Sequence, residues 1–180
     1  MKTSRLLFAI TWRGGAWGLL VGAILGAAFG AIFAGKLFDL GLVEQSGAIP
    51  SSDYPPAIAD FMAGFLALLG GIVGGGVGMP IGWMVGASDG FLIGMLLRAS
   101  TDPMGKIRIN RSVLFTISML YTSVASLLGF IVILRFYSTQ SAATSLWLLA
   151  IVIVPSLIAG IALGFVSQLL VLWYEREVRR

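Results

Sequence analysis

Residues 70–94 read GGIVGGGVGMPIGWMVGASDGFLIG, and this stretch decides the fold. Glycine stands at Gly70, Gly74, Gly78, Gly82, Gly86, Gly90 and Gly94, each four residues after the last. Four residues turn an α-helix by about 400°, so the row follows one slowly drifting line on the helix surface. Along that line no side chain keeps a neighbour away. In water each helical glycine costs about 1 kcal/mol relative to alanine. Between helices in lipid the balance changes, because apolar burial gains little there and close backbone approach becomes the main attraction.

The row lies inside an apolar stretch from about residue 57 to 98. A second period-four series precedes it, at Gly14, Gly18, Gly22, Gly26 and Gly30 with Ala34 continuing it, within an apolar stretch over about 12–38. Two further stretches cover about 112–136 and 146–173. They carry weaker rows of small and hydroxyl residues, Ser118-Thr122-Ser126 and Ser156-Gly160-Gly164. Segments rich in Ser, Pro, Asp and Gly separate the four, as turn chemistry requires. The reading is an all-α, polytopic membrane protein: a single transmembrane domain over 1–180, a four-helix bundle with glycine-zipper packing and one long central helix. A row of this period suits right-handed crossings near −40°. Its drift over 70–94 predicts that the two halves of the second helix meet different neighbours.

Composition agrees with this class. The 180 residues are 58% hydrophobic and 11% charged, with a mean hydropathy of +0.97. A soluble domain carries about 25% charged residues. The net charge of +4 reads as lipid topology rather than nucleic-acid binding, since the basic residues gather at the ends of the apolar stretches.

The second stretch is long enough, at roughly 60 Å of helix against a ~30 Å hydrocarbon core, to be one overshooting helix or two crossings. Basic residues favour one. With one crossing, 10 of the 12 lie on a single side, leaving only Lys36 and Arg135 opposite; the positive-inside rule then puts both termini in the cytoplasm of a plasma or inner membrane. Asp60 would lie near the outer face, in the first turn of its helix. Residues 90–98 would project inward as an apolar extension or bend into the interface plane.

The chemistry available is sparse. Cysteine and histidine are absent, which removes thiolate metal sites, disulfides and imidazole chemistry. No nucleotide-binding or hydrolase motif is present, and neither enzymatic activity nor a cofactor is expected. Asp89 is the foremost polar candidate, because an ionisable residue within an apolar run suggests an ion or proton pathway; solvation at the inner interface is the favoured reading. Asp60 has the same two readings. Pro80 is either a kink or the break of a discontinuous helix. Arg98, Lys106, Arg108 and Arg111 can contact anionic lipid or an acidic partner, though topology alone accounts for them.

Two functions follow. The first is a non-catalytic accessory or structural subunit of a membrane complex, or a homo-oligomer held by GxxxG contacts. The alternative is a small transporter or ion channel with Asp89 and Asp60 on the pathway and Pro80 as hinge. The partners implied are the bilayer, other membrane subunits or a second copy, and anionic lipids.

Overall fold

The computed structural model describes residues 3–39, 56–100, 110–137 and 146–178. They form four helices: α1 (Thr3–Asp39), α2 (Pro56–Ser100), α3 (Arg111–Tyr137) and α4 (Leu146–Val178). All four contain segments long and apolar enough to cross a membrane. Lys106 and Arg108 lie outside the described residues, as do the connecting segments expected from turn chemistry.

The helix ends follow from local chemistry. Pro56 opens α2, a position where its missing N–H and fixed φ do no harm. Asn110 caps α3, its side-chain oxygen accepting the Ser112 N–H at 3.1 Å. Asp60 therefore stands beyond the first turn of α2, in which there is no acidic residue. This corrects its placement in the first turn without burying it, for it is exposed.

Two helices outrun the apolar stretches that announced them. α1 begins nine residues before Trp12, because Leu6 and Ile10 supply a buried apolar face. α4 continues beyond Trp173, with Tyr174 buried and charged residues following it. Hydropathy marks what lipid can cover, whereas helical hydrogen bonding continues as long as one face has something to pack on.

α2 is one helix of 45 residues that runs through Pro80 without a break. The discontinuous helix considered for Pro80 is not formed. α4 likewise runs through Pro155.

The chain divides into two compact units. The first comprises Met1–Gly22 and Met79–Arg180 and contains portions of all four helices. Its apolar core includes Ile10 from α1, Ile93 and Leu97 from α2, Leu114 from α3, and Leu163, Leu170 and Val171 from α4. The 90–98 segment is thus part of a packed core, which corrects the expectation of a projecting extension. It stays because Ile93 and Leu97, four residues apart, fall on one helix face and are fully buried. Between α3 and α4, Gly160 lies against Ser123 and the Met119 carbonyl, and Gly164 against the Phe115 ring.

The second unit, Ala23–Gly78, holds parts of α1 and α2. Its inward residues are small: Gly71 faces Ala27 and Ala31, and Gly75 faces Ala23 and Ala27. The large side chains Phe61, Phe65, Ile72 and Val73 are exposed.

Candidate functional site

Two features emerge, a backbone-to-backbone seam and a buried carboxyl group. The seam is built from both glycine rows. In the first unit, a Cβ placed on Gly14 would lie 2.5 Å from the Gly86 carbonyl oxygen and 2.9 Å from the Gly90 Cα. One on Gly18 would meet the Gly82 carbonyl and the Gly86 Cα, and one on Gly82 would lie 2.8 Å from the Gly22 Cα. In the second unit Gly26 lies against Gly74 and Gly78, and Gly30 against Gly70 and Gly74. Real Cβ atoms do not approach this closely, so only hydrogen fits at these positions.

In both units the row of α2 lies against α1, and α2 also meets α3 within the four-helix unit, through Asp89 and Ser118; the row itself keeps one partner. Drift separates a glycine row from a straight, smooth partner. A partner with its own row of equal period drifts at the same rate and stays in step. Gly94 differs from the rest, since its nearest atoms belong to the Leu7 and Ile10 side chains. Gly64 and Gly76 have nothing within 4 Å and mark a face of α2 that the seam does not use.

The carboxyl group is that of Asp89, one residue before Gly90 and only 3% exposed. The Ser118 hydroxyl on α3 donates to Asp89 Oδ2 at 2.7 Å and also stands 3.3 Å from the Leu163 carbonyl on α4. Asp89 Oδ1 is buried with no hydrogen-bond partner among the described residues, and the same is true of Thr122 Oγ1 and Ser123 Oγ. The favoured reading of Asp89, a solvated residue neutralised at the interface, is therefore corrected. Ser118 is its one hydrogen-bond partner among the described residues. Its depth was hidden from the sequence because burial here depends on the packing of α3 and α4. The period-four Ser118-Thr122-Ser126 row was the available signal, and all three of its members are buried.

The basic residues divide. Arg111 donates two bonds to the Glu175 carboxylate, at 2.8 and 3.0 Å, linking the start of α3 to the end of α4. Arg13 places its guanidinium 3.9 Å from the centre of the Trp173 ring, a cation–π contact between α1 and α4. Arg98 is exposed in the last turn of α2. Near Arg13, Trp12 meets Trp83 edge to face at 6.4 Å. The structure thus gathers Asp89 with Ser118, and Arg111 with Glu175; it gives Asp60 and Pro80 no part in either group.

No family model, curated protein or solved structure matches this chain.

Proposed function

We propose that the chain is a non-catalytic, multi-pass integral membrane protein serving as an accessory or structural subunit of a larger membrane assembly. One observation carries this reading: the glycine rows lie against each other within the chain, while large apolar side chains such as Phe61, Ile72 and Met84 face outward. A surface of that kind suits lipid or a neighbouring subunit. The glycine rows act as a zipper inside one molecule. Because they are already occupied, a homo-oligomer held by those same rows is the weaker form of the proposal.

The topology that goes with it has both termini cytoplasmic, with Arg98, Lys106, Arg108 and Arg111 on that side. Support comes from the Arg111–Glu175 pair and the Arg13–Trp173 contact, which bring basic groups from α1 and α3 to the C-terminal part of α4. Arg98, exposed in the last turn of α2, can meet anionic lipid there.

Purification in mild detergent followed by mass spectrometry tests the proposal. A membrane protein should co-purify in fixed stoichiometry, and a chain that emerges alone as a dispersed monomer contradicts it. A second reading, a small transporter or channel, is favoured by the burial of Asp89. It requires flux through proteoliposomes that Asp89→Asn diminishes, and vesicles tight to ions and solutes would dismiss it.

A further inference from the structure

We propose that Asp89 is a proton-binding site within the four-helix unit, with Ser118 as a hydroxyl that reverses its hydrogen bond when the proton arrives. This goes beyond a packing role, and it requires only occupancy by a proton rather than passage of one across the membrane.

Ser118 has one hydroxyl hydrogen and stands within reach of two acceptors, Asp89 Oδ2 at 2.7 Å and the Leu163 carbonyl at 3.3 Å. It can serve only one of them at a time. With Asp89 ionised, Ser118 donates to Oδ2. When a proton from water binds Oδ2, the new O–H donates to Ser118 Oγ. The Ser118 hydroxyl then rotates about its Cβ–Oγ bond and donates to the Leu163 carbonyl, whose oxygen has a lone pair left beyond the helical bond. Only the new Oδ2–H bond is formed, and no heavy atom needs to move far.

The carboxyl group has one oxygen left open among the described residues. A buried charge needs a partner of opposite sign or several hydrogen bonds, and Asp89 has one bond, with Oδ1 unpartnered. The charged or titratable groups whose side chains are described on these helices are Arg5 and Arg13 on α1, Asp60 and Arg98 on α2 itself, Arg111 and Tyr121 on α3, and Tyr174, Glu175, Arg176 and Glu177 on α4. Arg111 is committed to Glu175 and Arg13 to the Trp173 ring, and no ion pair joins any of the group to Asp89. A proton also needs no added room, unlike a metal ion, which would have to draw several oxygens around itself.

Infrared spectroscopy of the full chain in phosphatidylcholine vesicles, titrated from acid to alkaline pH, tests this directly. The wild-type protein should show a carboxylic-acid C=O band that Asp89→Asn removes and that alkaline titration converts to carboxylate. In Ser118→Ala the same band should move to higher frequency, because the acid loses its acceptor. That second variant keeps the test valid even where Asp89→Asn folds poorly. The proposal is overturned if Asp89 contributes only carboxylate bands throughout the range, or if Ser118→Ala leaves the acid band where it was. Loss of the band on adding sodium chloride at constant pH would also overturn it, since the oxygen would then belong to a metal cation.

Discussion

The two units solve the same packing problem with different materials. In the four-helix unit, Ile10, Ile93, Leu97 and Leu114 are almost wholly buried, and the glycine seam runs beside a conventional apolar core. In the Ala23–Gly78 unit, Gly75 is the one buried residue among those described, and the contacts are glycine on glycine or glycine on alanine. A core of large side chains resists dissociation through many dispersion contacts and tight fit. A seam of small residues relies on backbone approach alone, and it leaves large side chains such as Phe61, Phe65 and Ile72 exposed. Glycine therefore supplements a core in one region and substitutes for it in the other.

Substitutions in the two units should separate a seam of glycine from a core of large side chains. The largest effect is expected for Gly18→Leu, where even the first side-chain carbon would meet the Gly82 carbonyl and the Gly86 Cα. Neither backbone group can swing aside, so folded protein should be lost from detergent extracts judged by size-exclusion chromatography. Ile93→Ala opens a cavity at a fully buried site and should cost about 2–5 kcal/mol in reversible unfolding. Gly74→Ala, which forces a methyl against Gly26 and Gly30, should cost about 1–3 kcal/mol. It should do so by separating α1 from α2 in the second unit, visible as faster amide exchange there while the four-helix core stays protected. Gly76→Ala is the opposite case. With open space around it, it should be neutral or stabilising by up to ~1 kcal/mol through helix propensity, and an equal penalty at Gly74 and Gly76 would break the account of the seam. Least of all, Arg111→Ala removes an ion pair whose arginine is half-exposed and should shift stability by about 0.2–1 kcal/mol.

Much of the fold was legible because its signals are periodic. The four apolar stretches gave four helices, all long and apolar enough to cross a membrane. The continuity of α2 agrees with the charge pattern, since the positive-inside rule expects Arg98 and Arg111 to share a side with the other basic clusters. What eluded the sequence depends on contacts between distant segments. Leu6 and Ile10 lie outside the first apolar stretch, and their burial depends on a core shared with other helices, Gly90 and Gly94 of α2 lying against Ile10. Asp89 read as an interfacial residue because nothing local reveals that Ser118, 29 positions away, closes over it. The persistence of α1 as partner of the α2 row was available in principle, because two rows of equal period are matched to each other. Judging one row against a straight neighbour concealed it.

Paired cysteines in the second unit probe the seam where no large core assists it. The chain has no native cysteine, and a Cβ on Gly75 would lie 3.4 Å from that of Ala27, close to the ~3.8 Å of a disulfide. The double variant Ala27→Cys/Gly75→Cys, oxidised in membranes, should form a cross-link within a single chain that migrates as a monomer, while Ala27→Cys/Gly76→Cys should remain reduced. Failure of the first pair to cross-link, or its appearance only as a covalent dimer, would contradict a seam formed between α1 and α2 of one molecule.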